Sequence, residues 1–180
     1  MRTTYKVKDN EHCYFITSTI IGWIPAFNIS QNKDALIEAL VYSQKNKDLK
    51  IYNYVIMPEH FHLICFCDKL VKVIQSIKSF TAKRIIQTYQ DLQRNDILEQ
   101  FQVNKKDYKY YSKYQVWQEG FMPKAIISDD MFRQKSDYIH FNPVKRGLAN
   151  DVEKYELSSA RDYYLKIKGG IVIDDLDYEN

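Results

Sequence analysis

Two histidines stand two residues apart in the string His60-Phe61-His62, within a run of β-branched and aromatic residues. Side chains of a strand alternate between its faces, so both imidazoles point to one side while Phe61 points into the core. Two neutral imidazoles one strand repeat apart can bind a divalent metal through the same edge. A lone His-x-His string is weak evidence because such pairs arise by chance. Its position just after the short break at Pro58-Glu59, inside an otherwise apolar strand, strengthens the prediction of a metal site.

A second group of polar residues lies in 137–148, which has the sequence DYIHFNPVKRGL. If this segment is helical up to Asn142, then Tyr138 and Asn142 are four residues apart and share one helix face. Tyr138 would offer a phenolate and Asn142 a carbonyl oxygen to a metal, whereas His140 points about half a turn away. Out of context, a half-buried core tyrosine is the simpler interpretation of Tyr138.

Cationic residues are concentrated in the middle of the chain, although the net charge is only +3. Ten Lys and Arg residues stand against four acids between Lys69 and Lys113, whereas residues 151–180 carry four basic and eight acidic residues. This asymmetry indicates a polyanionic partner, although a charge run is usually a solvated helix face. The stretch 105–114, KKDYKYYSKY, could stack on unpaired bases, with a plain surface loop as the alternative.

Length and composition exclude several classes of protein. A chain of 180 residues suits one domain, and its 5 Gly and 4 Pro are too few for a low-complexity or collagen-like protein. The sequence has no long apolar run typical of a membrane span and no signal peptide, so we expect a cytoplasmic protein without a membrane partner. Cys13, Cys65 and Cys67 form no CxxC pair, and buried, reduced thiols are the simplest interpretation.

Periodicity and turn signals predict the elements that must position these residues. Strands are predicted over 12–23, 50–57, 60–67 and 115–121. Helices are predicted over 33–45, 71–89, 96–101 and 130–141, and a further helix is predicted to reach 168. Asn32 or Ser30 would cap the first helix, and Asp129 or Ser128 would cap the fourth. Phe80 of the second helix would face the core. Asn142-Pro143 should end the fourth helix, because the residue before a proline resists helical geometry.

The order of these elements predicts the fold class. It is a split β-α-β-β-α-β arrangement, which is an α+β fold with a ferredoxin-like antiparallel sheet and an appended C-terminal helix that carries the tyrosine. We expect a single domain over residues 1–168. Residues 169–180 would form an acidic C-terminal tail.

Four strings along the chain resemble the signatures of the HUH single-tyrosine transposases, which include the REP-associated tyrosine transposases and the smallest insertion-sequence transposases. The string YVIMPEHFHLI at 54–64 resembles the family's histidine signature, and YIHFNPVKRGL at 138–148 resembles the signature of its nucleophilic tyrosine. WQEGF at 117–121 resembles a third signature, and SSA at 158–160 with Tyr163 resembles a fourth. All four occur in the family's order. Glu59 stands where the family commonly has Asn, and it could add an acid beside the metal.

The resemblance implies a transposase that cleaves and rejoins single-stranded DNA at hairpin-associated sites. His60, His62 and Asn142 would hold Mg²⁺ or Mn²⁺, which polarises the scissile phosphate. Tyr138 would attack the phosphorus, remain linked to the 5′ phosphate and leave a free 3′ hydroxyl. Phosphate contacts are expected on the long helix, in the Lys-rich loop and next to the tyrosine, from Lys72, Lys78, Lys83, Arg84, Lys105, Lys106, Lys145 and Arg146.

Other functions stay open at this point. A domesticated relative could cut hairpins of a chromosomal repeat family without moving itself. A non-catalytic nucleic-acid-binding domain would show exposed aromatic residues on two central strands and would not use Tyr138 or the histidine pair. A metal hydrolase would need further ligands near His62, for which Asp68 is the only close candidate. The oligomeric state is open as well, because some relatives are homodimers that exchange the tyrosine helix and others act as monomers.

Overall fold

The computed structural model describes residues 12–108, 110–120 and 123–175. Its elements are β1 (Tyr14–Thr19), α1 (Ser30–Lys47), β2 (Lys50–Ile56), β3 (His60–Phe66), α2 (Leu70–Asp91), α3 (Asn95–Val103), β4 (Lys124–Ala125), α4 (Asp129–Lys145) and α5 (Ala160–Leu165). The strands form one sheet in the order β2-β3-β1-β4, and every pair of neighbours is antiparallel. This order confirms the ferredoxin-like α+β fold that the sequence predicts.

The central strand β3 presents different surfaces on its two faces. Phe61 points toward α1 and α2, where it is fully buried in the main hydrophobic core. His60 and His62 point to the other face, and Ile64 on that face packs against Ile139 of α4 in a second, smaller cluster. The predicted alternation along this strand is therefore confirmed, and the histidines lie on the side of the sheet that α4 covers.

Buried polar groups fasten α4 to the sheet. Ser136 Oγ donates a hydrogen bond of 2.9 Å to Asn53 Oδ1 on β2. His140 Nε2 lies 3.0 Å from Ser159 Oγ, and Ser159 also bonds the backbone N–H and C=O of Tyr54. The segment before α5 therefore lies along the outer edge of β2. Burial lowers the pKa of His140 to about 4, so its imidazole is neutral in this contact at neutral pH.

The first strand is shorter than predicted. It ends at Thr19, whereas the run of β-branched and aromatic residues predicts a strand up to Trp23. Gly22 and Trp23 have left-handed backbone angles, with φ of +66° and +56°, and these residues form a 3₁₀ turn. Because left-handed angles reverse the chain direction, the extended conformation cannot continue through them.

The strand predicted over 115–121 is also wrong. Within the described residues only Trp117 forms a bridge there, to Ile20, and the fourth strand is Lys124–Ala125; Phe121 lies outside the described residues. The ladder is interrupted because Lys78 Nζ binds the carbonyl oxygens of Gln118 and Gly120 at 2.9 and 2.6 Å. Gly120 has φ of +67°, which turns the chain away from β1.

The tyrosine-bearing helix extends past the predicted end. α4 runs to Lys145 and contains Pro143, whereas the sequence predicts that the helix stops at Asn142. A proline removes one backbone N–H, and in the last turn of a helix this costs a single hydrogen bond. Arg146 N donates to Asn142 O at 3.1 Å, so the turn around Pro143 stays closed.

Smaller differences concern helix ends and one core position. Ser128 Oγ accepts a hydrogen bond from Met131 N and caps α4, as one of the two alternatives predicts. Neither predicted residue caps α1, which begins three residues early; the Asn32 side chain instead donates to Ala26 O at 2.8 Å. Phe80 of α2 is 37% exposed rather than in the core.

The chain after α5 returns to the sheet. Ile171 is buried. The carboxylate of Asp174 accepts a hydrogen bond from Ile51 N, and the backbone N–H of Asp174 donates to Ile51 O. The first residues of the predicted acidic tail therefore lie beside β2, and residues 176–180 lie outside the described ranges. Among the helices that the structure describes, none is long and apolar enough to cross a membrane.

Replacing Ser159 by Ala should lower the free energy of unfolding by about 1–3 kcal/mol, because it leaves the buried His140 Nε2 without its partner. Urea denaturation followed by circular dichroism measures the change. Ser79→Ala, at an exposed position of α2, is the matched control and should change stability by less than about 0.5 kcal/mol. Equal stability of the two variants would contradict this account of how α4 is held.

Candidate active site

One cleft between α4 and the histidine-bearing face of the sheet brings together residues that are distant in the sequence. Its volume is about 400 Å³, and it is lined by Thr17, Thr19, Trp23, His60, His62, Tyr138, Asn142, Lys145 and Arg146. The four residues predicted for nucleophilic attack and metal binding therefore line the same cleft, together with two of the predicted cations. The four-residue spacing on α4 turns Tyr138 and Asn142 toward the same side.

His62 is held in place by β1. Thr17 is its register partner, and Thr17 Oγ1 lies 2.7 Å from His62 Nδ1. The Phe15 ring stacks on the imidazole with 5.4 Å between ring centroids. His62 Nε2 is buried and has no hydrogen-bond partner among the described residues. A buried polar atom of this kind is unfavourable unless a ligand completes it, and a cation would do so.

His60 is oriented by the neighbouring Glu59. Glu59 is buried, and its Oε1 lies 3.2 Å from His60 Nδ1 and 2.8 Å from Arg146 Nη1. When Nδ1 donates its proton to a carboxylate, Nε2 keeps the lone pair that binds a metal. Glu59 therefore connects the C-terminal end of α4 to one of the two candidate ligands.

Both imidazoles are neutral at neutral pH. Burial lowers the pKa of His62 to about 3, with a smaller contribution from the nearby His60. Burial also lowers the pKa of His60, while Glu59 opposes that shift. The neutral imidazole is the form that binds a divalent metal, so no proton has to be displaced from either ring near neutral pH.

The donor set fits a divalent cation that shares its ligand shell with water or phosphate. The chain offers two imidazole nitrogens and the side-chain oxygen of the buried Asn142. No group of three or more His, Cys, Asp or Glu side chains in the part of the chain that the structure describes is arranged so that all of them could hold one metal ion. Mg²⁺ usually takes only a few protein ligands and completes its shell with water and phosphate oxygens. The site is therefore compatible with a metal that binds together with a phosphate ligand.

Tyr138 lies beside the histidine pair and remains accessible. Its ring centroid is 5.2 Å from that of His62, and the side chain is 41% exposed. Lys135, one turn earlier on α4, places Nζ 6.0 Å from the centre of the Tyr138 ring and 5.1 Å from that of Phe15. A phenol here can attack a phosphate held at the histidines, and Lys135 adds positive charge on the same side.

The remaining predicted DNA contacts lie outside the cleft. Three of them are exposed on α2, across the sheet from the histidines: Lys72, Lys83 and Arg84. Lys78 lies on the same helix, but its ammonium group is engaged by the carbonyl oxygens of 118 and 120. Lys105 is partly buried and Lys106 is exposed, just after the end of α3. A role of these residues in DNA binding stays a prediction.

Sequence reasoning missed several residues that line or adjoin the cleft, among them Thr17, Thr19, Trp23 and Lys135. Lys135 could have been found, because it precedes Tyr138 by three residues and so lies on the same helix face. Thr17 requires knowledge of the pairing between β1 and β3, which no local pattern supplies. Trp23 lies in a segment that the sequence assigns to a strand, and its place at the cleft depends on the turn at Gly22.

Comparisons with known proteins agree with this architecture. A family model described as "Transposase IS200 like" matches residues 26–142. No curated protein sequence matches the chain. Among solved structures, a REP-associated tyrosine transposase bound to a REP hairpin superposes with a TM-score of 0.66 and 20% identity, over 99% of this chain and 96% of that one. A candidate transposase from Deinococcus radiodurans gives a TM-score of 0.43 and 13% identity, over 77% of this chain and 95% of the other.

The metal prediction can be tested by titrating the protein with Mn²⁺ and following the free ion by electron paramagnetic resonance. His62→Ala should abolish binding, because it removes the buried, unpartnered nitrogen. Thr17→Val should weaken binding about 10–100-fold, because the imidazole loses the hydrogen bond that orients it. His12→Ala, outside the cleft, is the control and should bind like the wild type. Wild-type affinity in His62→Ala would contradict the assignment.

Proposed function

This chain belongs to the IS200-like family of single-tyrosine transposases, and we propose that it cleaves and rejoins single-stranded DNA at hairpin-associated sites through a covalent bond between Tyr138 and a 5′ phosphate. The observation that carries the proposal is the contact between Tyr138 and His62, with 5.2 Å between ring centroids, beside an unpartnered buried nitrogen of His62. A nucleophile next to a metal-binding pair is the arrangement that phosphoryl transfer requires.

The proposed reaction exchanges one phosphate ester for another. The phenol oxygen of Tyr138 loses its proton and forms a bond to the phosphorus, the bond to the 3′ oxygen breaks, and that oxygen leaves as a 3′ hydroxyl after taking a proton. The bond energy is conserved in the tyrosine ester, so no external energy source is needed. A 3′ hydroxyl of another strand can then reverse the step and join to the phosphate. Phenolate is a better leaving group than a serine alkoxide, which favours tyrosine for a reversible reaction.

His60, His62 and Asn142 are the residues that would hold Mg²⁺ or Mn²⁺, which when bound supplies Lewis-acid polarisation of the scissile phosphate. The chain's own contribution is positional. Thr17 and Glu59 orient the two imidazoles from opposite ends of the pair. Lys135 brings a positive charge to the side from which the phenol attacks, where it would attract the phosphate.

A hairpin-bearing single strand is the proposed partner, since the solved relative at TM-score 0.66 is bound to a REP hairpin. Lys145 and Arg146 follow the tyrosine on α4 and line the cleft, where they would contact phosphates next to the cut. Lys72, Lys83 and Arg84 offer a second basic surface on α2, and Lys105 and Lys106 offer a third after α3. Within one chain Tyr138 contacts His62 and His62 contacts His60, so the proposed step requires no group from a second copy.

Tyr138→Phe removes only the hydroxyl, so folding and DNA binding should be retained while covalent cleavage is lost. A 3′-labelled hairpin strand from the DNA that flanks the gene, incubated with Mn²⁺, should become attached to the wild-type protein and not to the variant. Denaturing gel electrophoresis measures the adduct, and mass spectrometry locates it. The control is Tyr111→Phe, a highly exposed tyrosine outside the cleft, which should form the adduct normally. An adduct that persists in Tyr138→Phe means that another residue is the nucleophile.

The basic surface of α2 can be tested without any cleavage. Changing Lys72, Lys83 and Arg84 together to Ala should weaken hairpin binding and reduce the dependence of log affinity on log salt by about 0.7–0.9 for each phosphate that the variant no longer binds. Lys78 is left intact because it holds the 118–120 segment. Fluorescence anisotropy at several salt concentrations gives the slope. The control is the double variant Lys33→Ala and Lys45→Ala on α1, which should bind like the wild type. An unchanged slope in the triple variant would mean that the basic surface of α2 faces solvent and does not contact DNA.

A further inference from the structure

Trp23 forms one wall of the active-site cleft and is largely exposed. Its side chain is 59% accessible, and its ring lies edge-on to His60 with 6.0 Å between centroids. The second tryptophan, Trp117, is buried and donates its indole N–H to Thr81. Large aromatic side chains that remain exposed within a binding cleft indicate a ligand surface rather than a packing role.

The backbone at Trp23 is in a conformation that disfavours a bulky residue. Its φ of +56° belongs to the left-handed region, where a residue with a side chain is strained and glycine is not. The turn is held by bonds from Trp23 N to Ile20 O and from Ile21 N to Val116 O, at 3.1 and 2.8 Å. The fold thus maintains an unfavourable backbone angle at an exposed ring beside the site, as strained functional positions do.

The ring contacts define an order along the cleft. They run from Trp23 to His60, from His60 to His62, and from His62 to Tyr138, with centroid separations of 6.0, 4.7 and 5.2 Å. Trp23 and Tyr138 therefore stand at opposite ends of the histidine pair. In an in-line displacement the attacking and leaving oxygens lie on opposite sides of the phosphorus. The nucleotide whose 3′ oxygen leaves would accordingly lie on the side of Trp23.

We propose that Trp23 is a stacking platform for an unpaired base, and that this base belongs to the nucleotide on the 5′ side of the cut. The placement of that nucleotide rests on the function proposed above. Stacking on an indole needs an open base face, which a duplex offers only at its ends, so the ring would favour single-stranded DNA at the cleft.

Nearby cations could guide the backbone of such a strand. Arg146 and Lys145 line the same cleft as Trp23. On the other side of the turn, Asn104 Nδ2 lies 3.3 Å from where a Cβ on Gly22 would stand, so the chain that continues into Lys106 adjoins the turn. A strand stacked on Trp23 therefore has positive charge on both sides for its phosphates.

Stacking can be measured with a short oligothymidylate and an abasic strand of equal length, which has the same phosphates without bases. We expect oligothymidylate to bind the wild type about tenfold more tightly than the abasic strand and to quench indole emission. Trp23→Gly should bind both strands alike, because the ring is gone. Trp23→Phe should restore part of the preference. Tyr42→Ala removes a comparably exposed ring on α1, 56% accessible and outside the cleft, and should behave like the wild type.

Trp23→Gly also controls for folding. Glycine accepts the left-handed angle, which offsets its larger freedom in the unfolded chain, so thermal unfolding should occur close to the wild-type temperature. Equal affinity of the wild type for the two strands overturns the proposal. A base preference that survives in Trp23→Gly overturns it as well.

The position of the base can be tested on the strand that the wild type cleaves. An abasic nucleotide on the 5′ side of the cut should raise KM about tenfold for the wild type and have no effect on Trp23→Gly, whereas one on the 3′ side should affect both proteins equally. The reverse pattern would contradict the assigned side. If the wild type forms no covalent adduct, the proposed function fails, and the oligothymidylate experiment still decides whether Trp23 stacks on bases.

Discussion

The alternation of side chains along β3 is the constraint on which the site depends. The same strand fills the main core with Phe61 and presents His60 and His62 to the opposite face. A shift of one residue would exchange these sets, and the core would not accept two imidazoles. The register is fixed because Thr17 and Thr19 stand opposite the histidines and β3 is paired on both sides. The separation of the two imidazoles is therefore as rigid as the sheet itself.

The proposed nucleophile, Tyr138, must meet this rigid histidine pair at one position. Directional hydrogen bonds and an ion pair fix the helix that carries it. The apolar cluster under α4 is small, and apolar contacts alone tolerate sliding of a helix along a sheet. Polar side chains of the helix and its C-terminal cap meet partners on the sheet side, namely Ser136 with Asn53, His140 with Ser159 and Arg146 with Glu59. A displacement by one turn would leave these groups unpaired, which is unfavourable where they are buried. The polar contacts therefore define where Tyr138 stands.

Local periodicity predicts the parts of the fold and site that depend on local geometry. The histidine faces and the shared helix face of Tyr138 and Asn142 follow from repeats of two and four residues. The strand prediction over 115–121 is wrong because Lys78, from a distant helix, binds carbonyl oxygens that a strand would use. The predicted end of α4 at Asn142 is wrong because a proline in the last turn of a helix removes only one backbone hydrogen bond. Thr17 and Trp23 reach the cleft through strand pairing and a left-handed turn, neither of which is encoded in spacing.

The layered architecture also bears on the form of DNA that the chain can engage. Lys83 and Arg84 lie on α2, on the opposite side of the sheet from Lys145 and Arg146 at the cleft. A straight duplex passing one face cannot reach cations on the other, because the sheet and a helix layer stand between them. A folded strand can satisfy both when its paired stem meets one face and its unpaired arm passes the sheet edge. The turn at Trp23, where unpaired bases could stack, stands at the end of β1 that such an arm would follow. Under the proposed function, cations on both faces and an exposed indole at the cleft would suit a folded single strand better than a straight duplex.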